Sequence, residues 1–154
     1  MNVQALFHLA FPVRDLTEAR AFYAGLLGCP EGRSSPHWID FNFFGHQLVA
    51  HLSPGGGVSP STSTSTSTST STSPSTSEVD GKAVPLRHFG AVLAQADWEA
   101  LAARLVAADT HFLITPQLRF EGQAGEQSTM FFLDPSGNAL EFKAFADIGQ
   151  LFAR

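Results

Sequence analysis

The stretches Leu6-Phe7-His8-Leu9-Ala10-Phe11 and Arg87-His88-Phe89-Gly90-Ala91-Val92-Leu93 are both short apolar runs built around a histidine. Each is followed, at nearly the same distance, by an acidic residue and a helical pattern, and then by aromatic-rich runs. The first set of runs ends at Phe44-Gly45-His46-Gln47-Leu48-Val49-Ala50-His51-Leu52, the second at Thr129-Met130-Phe131-Phe132-Leu133-Asp134-Pro135-Ser136-Gly137-Asn138-Ala139-Leu140-Glu141-Phe142. Self-similarity on this scale sets the architecture before any local reading does. The unit is strand, helix, strands, and the chain uses it twice.

Outward from that repeat, composition bounds the possibilities. A chain of 154 residues, 44% hydrophobic and 15% charged, suits one compact domain or two small modules sharing a core. The formal net charge of −5 and the lack of a Lys/Arg stripe argue against a nucleic-acid or membrane-surface partner, because neutralising phosphates needs concentrated positive charge. A small-molecule ligand fits better. Cys29 is the single cysteine and cannot form an internal disulfide, and no secretory leader pattern opens the sequence, so a cytoplasmic setting is expected. No apolar run approaches the roughly 20 residues of a membrane span.

Between the repeats, Ser and Thr alternate from Ser61 to Ser77 with Pro74 interrupting, preceded by Pro54, Gly55 to Gly57 and Pro60. Such a tract buries nothing against a backbone entropy of roughly 1–2 kcal/mol per residue. It reads as a flexible linker over 54–83, dividing a first module at 1–53 from a second at 84–154, the whole forming one structural domain.

Within module one, Asp15 with Glu18 three residues on predicts a capped helix carrying Ala19, Phe22, Tyr23, Leu26 and Leu27 on one face, ended by Gly28. In module two Asp97 is expected to cap a helix bearing Trp98, Leu101, Ala102, Leu105 and Ala108, with Asp109 at its end. Strands are expected over 38–44, 47–52, 111–114, 129–133 and 139–145. The Asp134-Pro135-Ser136-Gly137 turn supplies proline at a tight corner and glycine where a positive φ is wanted, and Gly45 has the matching place in module one.

Strand parity then isolates a candidate site. Glu141 and Lys143 share one face of the last strand while Leu140 and Phe142 share the other. A carboxylate among so many aromatics needs a partner, because an unpaired buried charge is costly. A histidine near a strand start is by itself more often a hydrogen-bonded edge residue than a ligand, and His37, His46 and His111 are read that way. His8 and His88, at equivalent points of a repeat, together with Glu141 make a different pattern. Two imidazoles and one carboxylate form the facial triad that suits Fe(II) and leaves coordination positions open.

The runs Phe7-His8-Leu9-Ala10-Phe11-Pro12-Val13-Arg14-Asp15, Ala19-Arg20-Ala21-Phe22-Tyr23 with Leu26-Leu27-Gly28, and Phe132-Leu133-Asp134-Pro135-Ser136-Gly137-Asn138-Ala139-Leu140-Glu141 resemble the vicinal oxygen chelate superfamily. That superfamily includes glyoxalase I, extradiol dioxygenases, fosfomycin-resistance transferases and bleomycin-binding proteins, and the likeness is greatest to its small predicted extradiol-type dioxygenases. The resemblance implies an α+β fold of two tandem βαβββ modules forming a curled, partly open mixed sheet around a metal. It places the ligands at His8, His88 and Glu141. Aligning Gly45 with Gly137 sets Val49 opposite Glu141, so the fourth carboxylate of glyoxalase-like members is missing. His51, two residues further along, is the candidate for an acid/base group, a fourth ligand or a substrate contact.

One departure counts against ring cleavage. Extradiol members typically have a tyrosine near the strand before the ligand glutamate, where this chain has Phe131 and Phe132, and its one tyrosine, Tyr23, is on a helix. Candidates for contacting substrate are Arg119, Glu121 and Gln127, at or beside a polar loop, and Phe131 on the following strand; a plain surface hairpin explains that loop about as well. The expected function is a metal-dependent, extradiol-type dioxygenase acting on a catechol-like or vicinal-oxygen substrate, with Fe(II) first among metals and Zn, Mn or Ni as others. A glyoxalase-type isomerase or thiol transferase, and a metal-free protein binding a flat aromatic compound among its 14 phenylalanines, are the other readings. A homodimer is expected from the same resemblance.

Overall fold

The computed structural model describes residues 5–55 and 76–152. They fall into two compact units: residues up to 55 together with Asp134–Gly137, and the remaining described residues from 76 onward. Most of the Ser/Thr tract lies outside the described residues. Among the described residues no helix is long and apolar enough to cross a membrane.

In the first unit β1 (His8–Val13) leads into α1 (Leu16–Ala19), which continues as a π-helical stretch (Arg20–Leu26), and then into β2 (Glu31–Ser35), β3 (Trp38–Phe43) and β4 (His46–Leu52). The sheet order is β1-β4-β3-β2, with β1 parallel to β4 and the other pairs antiparallel. Asp15 caps the helix as expected, its carboxylate accepting from the Glu18 N–H at 2.8 Å. The helix then widens, so that Leu27 N donates to the carbonyl five residues back, Phe22, at 2.9 Å. Phe22, Tyr23 and Leu27 are buried on its sheet-facing side, and the Tyr23 ring lies 5.3 Å from both Phe11 and Phe41. That face of the sheet, with Val13, Ile39, Leu48 and Ala50, forms the unit's core.

The Tyr23 hydroxyl donates to Asp134 Oδ2 at 2.8 Å, and Asp134 Oδ1 accepts from Ser136 N at 2.9 Å. Ser136 Oγ in turn accepts from Arg14 N at 3.0 Å. The turn at 134–137 is therefore built into the first unit, and Gly137 takes the positive φ (84°) expected of it. Burial and the neighbouring Asp134 carboxylate raise the Tyr23 pKa well above that of an ordinary phenol.

In the second unit β5 (Thr76–Val79) and β6 (Lys82–Pro85) form a hairpin. There follow β7 (His88–Phe89), β8 (Val92–Leu93), α2 (Gln95–Ala107), β9 (Phe112–Arg119), β10 (Gln127–Leu133) and β11 (Ala139–Phe145). The sheet runs β7-β11-β10-β9, with β8 also on β11; the β11 pairings to β7 and β8 are parallel and the rest antiparallel. Leu140, Phe142 and Ala144 face α2, whose Trp98, Leu101 and Leu105 are buried, and Trp98 Nε1 donates to the Phe142 carbonyl at 3.0 Å. The chain is thus an α+β fold with two mixed sheets and two helices, consistent with a tandem βαβββ repeat.

Several local expectations need correction. Asp97 does not cap α2: the helix starts two residues earlier behind Ala94, which offers no side-chain bond, and Gln95 instead anchors it through Ser128 Oγ at 3.1 Å. Ala108 is exposed, while Asp109 ends the helix with a left-handed φ of 52°. Strand β9 does not stop at Ile114 but runs on to Arg119, because Pro116 falls where Thr115 and Pro116 together oppose Met130 in a bulge on an edge strand. β2 was not expected at all, being polar and almost wholly exposed at a sheet edge. Thr76 and Ser77, the last described part of the Ser/Thr tract, pair as strand.

Candidate functional site

The β11 register builds the second unit's site. His88 pairs with Ala139 on the parallel neighbour, and Phe131 and Thr129 on β10 sit opposite Glu141 and Lys143. Directly paired residues share a face, so His88, Glu141, Phe131, Thr129 and Lys143 all project from the side away from α2. A β-carbon on Gly90, just past His88, would lie 1.7 Å from the Glu141 carbonyl oxygen. Only glycine lets the chain pass β11 this closely.

The histidine and the glutamate meet. His88 Nε2 lies 3.4 Å from Glu141 Oε2, with side-chain exposures of 31% and 14%. On its other side the ring places Nδ1 2.9 Å from the Pro85 carbonyl oxygen. A carbonyl only accepts, so Nδ1 carries the proton, and in the neutral ring the Nε2 lone pair faces the carboxylate. Two Lewis bases at that separation repel unless a proton or a cation lies between them. Ligand bonds of about 2.1 Å can span the gap, so the pair fits a divalent metal. Glu141 is oriented from behind, Thr129 Oγ1 donating to Oε1 at 3.2 Å. Lys143 Nζ stands 3.4 Å from Oε2 and partly neutralises it. The Phe131 ring packs edge-on against the imidazole with centroids 4.8 Å apart.

His8 belongs to the first unit, where its Nδ1 lies 2.7 Å from Gln47 Oε1. With the amide oxygen accepting, this ring too keeps its proton on Nδ1 and its lone pair on Nε2. The two registers make the repeat explicit: His8 pairs with Gln47 as His88 pairs with Ala139. Two residues further on come Val49 and Glu141 respectively, and two beyond those His51 and Lys143. Val49 therefore holds the carboxylate's place in the first module. His51 is on the same face as His8 but pairs with Pro12, four residues along and about 13 Å away by strand rise. A depression of about 420 Å³ opens beside His8, lined also by Phe7, Asp40, Asn42, His46 and Gln47. His46 Nδ1 accepts from Phe7 N at 3.1 Å, a structural contact as expected.

Among the described residues no three or more of His, Cys, Asp and Glu are gathered closely enough to hold a metal; within its unit, the expected set contributes the His88–Glu141 pair. Gln127 and Phe131 lie on the Glu141 face, both buried. Arg119 ends β9 opposite Gln127, and its Nε is 2.8 Å from Asp80 Oδ2 at the tip of the β5–β6 hairpin. Glu121 is exposed in the loop that follows. Tyr23 is fully buried and spent on Asp134, on the helix side of its sheet. Thr129, Gln47 and the Pro85 carbonyl were not foreseen. Parity would have exposed Thr129 once the β10–β11 register was known, whereas nothing in a sequence announces a backbone carbonyl.

A family model described as the Glyoxalase/Bleomycin resistance protein/Dioxygenase superfamily matches residues 5–142. The chain belongs to the glyoxalase/bleomycin resistance protein/dioxygenase superfamily. A solved member, a glyoxalase/bleomycin resistance protein/dioxygenase from Alicyclobacillus acidocaldarius, is 34% identical over 98% of both chains, with a TM-score of 0.71. The fosfomycin resistance protein FosX from Listeria monocytogenes is similar in fold at 16% identity, covering 96% of this chain and 98% of that one, with a TM-score of 0.62. Lactoylglutathione lyase from Agrobacterium tumefaciens is similar at 17% identity over 100% of both chains, with a TM-score of 0.61. A comparison with curated proteins finds no match. Superfamily members on this one frame thus carry names from different reactions, and the frame alone does not select among them.

Proposed function

We propose that this superfamily member is a metal-dependent enzyme whose divalent cation, Fe(II) in the first instance, is held by His8, His88 and Glu141. We propose further that it carries out extradiol-type dioxygenation of a catechol-like substrate. The observation that carries the metal is the His88–Glu141 pair: Nδ1 is committed to Pro85, and a nitrogen and an oxygen lone pair converge at 3.4 Å. When bound, the cation supplies a Lewis acid that acidifies a substrate hydroxyl and, as iron, a redox centre for dioxygen.

The chain's own groups do the rest. Thr129 and Gln47 fix the orientation of Glu141 and His8. Phe131, the candidate apolar contact, is buried edge-on to His88 and so acts on a substrate through the imidazole it packs, with Gln127 further along the same face. Arg119 and Glu121 stand at the loop end of that face, where a polar substituent would be recognised. His51 takes the proton-transfer role, at the outer end of the first module's site face. Val49 in the carboxylate's place favours the three-ligand arrangement over the four-ligand, glyoxalase-like one.

A metal-free ligand-binding protein is the second reading, and Lys143 favours it by giving Glu141 a cation without a metal. Against it, Phe11, Phe41, Phe132 and Phe142 are buried on the helix-facing sides of their sheets rather than lining a cleft. Elemental analysis of protein purified without oxygen, beside His8→Ala, His88→Ala and Glu141→Ala, tests both. Near-stoichiometric iron abolished by all three substitutions, followed by oxygen uptake with catechols, supports the enzyme. A wild-type protein that takes up no metal on reconstitution refutes it and leaves the binding reading.

A further inference from the structure

The hairpin that follows the Ser/Thr tract touches the candidate site at three levels. At its end, the Pro85 carbonyl receives the Nδ1 proton of His88 at 2.9 Å. In its middle, Val84 is buried at 2% exposure in a cluster with Ile114, Phe131 and Ala139, and Val79 packs against the same cluster. Phe131 and Ala139 are the residues that flank His88, one by its ring at 4.8 Å and the other by strand pairing. At its tip, Asp80 Oδ2 accepts from Gln117 Nε2 at 2.9 Å and is ion-paired with Arg119 Nε at 2.8 Å. Gln117 pairs with Thr129, the residue that holds Glu141.

The geometry points to the β5–β6 hairpin as a positioning element for His88, with Asp80 as its latch on Gln117 and Arg119 and Val84 as its seat. The inference rests on the metal reading for its functional consequence, though not for its test in the metal-free protein. Seated, the hairpin presents a carbonyl that selects the Nδ1–H tautomer and turns Nε2 toward Glu141. Unseated, it releases that carbonyl, and the ring is free to take the other tautomer and turn its lone pair away. Asp80 carries a charge-assisted contact at the end of the hairpin farthest from His88, so a substitution there reaches the imidazole through intervening structure and not by direct contact.

The experiment uses the full chain carrying Asp80→Asn, Val84→Ala or both, with Glu78→Gln on the hairpin's outward face as control. Ring-nitrogen NMR of His88 at about pH 8.5, two units above an ordinary imidazole pKa, is read without metal, and Co(II) affinity is then measured by titration. The wild type and Glu78→Gln should show Nδ1 protonated and Nε2 free. The Asp80→Asn and Val84→Ala double variant should show mixed tautomers and about 10- to 100-fold weaker Co(II) binding. A wild type with the proton on Nε2, or a double variant with unchanged tautomer and affinity, overturns the inference. If no protein binds Co(II) but the tautomer still shifts, the hairpin's role stands and the metal reading falls.

Discussion

Replacing Tyr23 by Phe removes one oxygen from the middle of the first unit and little else. The ring keeps its packing against Phe11, Phe22 and Phe41, at centroid distances of 5.3, 5.1 and 5.3 Å, so no cavity opens. What is lost is the 2.8 Å hydrogen bond to Asp134, a carboxylate only 5% exposed that still accepts from Ser136 N. A hydrogen bond to a charged group contributes about 1.5–3 kcal/mol, so the variant should be destabilised by about 2 kcal/mol. For a chain of this size that lowers the melting temperature by roughly 4–8 °C. Urea unfolding followed by circular dichroism should show a lower midpoint with an unchanged m-value. The same group predicts an alkaline limb. Because the Tyr23 pKa is raised by burial and then by Asp134, the folded state holds its proton after the unfolded state has lost it. The contribution is therefore fully present below the unfolded pKa of about 10 and is lost as pH rises towards the folded value, at about 1.4 kcal/mol per pH unit. Tyr23→Phe should lack that slope. A variant within 0.5 kcal/mol of wild type by the same assay, with the same alkaline limb, would refute the view that this bond holds the 134–137 turn in place.

Gly90→Ala would set a β-carbon 1.7 Å from the Glu141 carbonyl, so β7 or β11 must move. The expected loss is about 3 kcal/mol or more by thermal unfolding, with weaker divalent-cation uptake even where the variant folds. Lys143→Gln removes a positive charge that stands 3.4 Å from the Glu141 carboxylate. Divalent-cation affinity, read by calorimetric titration at low salt, should rise several-fold and the gain should shrink as salt is added; a fall instead would show that Lys143 serves to orient Glu141. Trp98→Phe deletes the donor to the Phe142 carbonyl and part of the α2 packing. A loss of about 1–3 kcal/mol in denaturant unfolding is expected, with no effect on metal uptake.

The repeat was legible because both halves present a histidine strand, an amphipathic helix and an aromatic strand pair in the same order. The last strand, Ala139–Phe145, and the Asp15 cap came through residue for residue, since alternation and capping chemistry are local. What stayed hidden depended on pairing partners far along the chain. β2 has no apolar face to betray it, and β9 continues through Pro116 only because an edge strand with a bulge tolerates it. The Thr76–Pro85 hairpin sits where composition speaks for a linker, and it is held by Val79, Val84 and Asp80, three residues too sparse to make a pattern. Glu141 and Lys143 were correctly placed on one face, but that Thr129 and His88 reach the same carboxylate follows from a register that parity alone does not set.

The two registers also set out what one frame, used twice, carries at equivalent places. Reading along the strand parallel to each histidine, the first module has Gln47, Val49 and His51 where the second has Ala139, Glu141 and Lys143. In the first, the residue beside the histidine is an amide that bonds it directly, and the next position is apolar, so His8 is oriented within its own sheet, where the Asp40 carboxylate opposite Val49 is ion-paired with Arg33. In the second, the residue beside the histidine is an alanine that bonds nothing, orientation passes to the Pro85 carbonyl, and the next position carries the charge. Each module thus gives its histidine a hydrogen bond at Nδ1, by different atoms, and in the second Nε2 also meets a carboxylate. On the proposed metal reading both Nε2 lone pairs are left for a ligand, and Glu141 is the charge that the second module carries where the first has Val49.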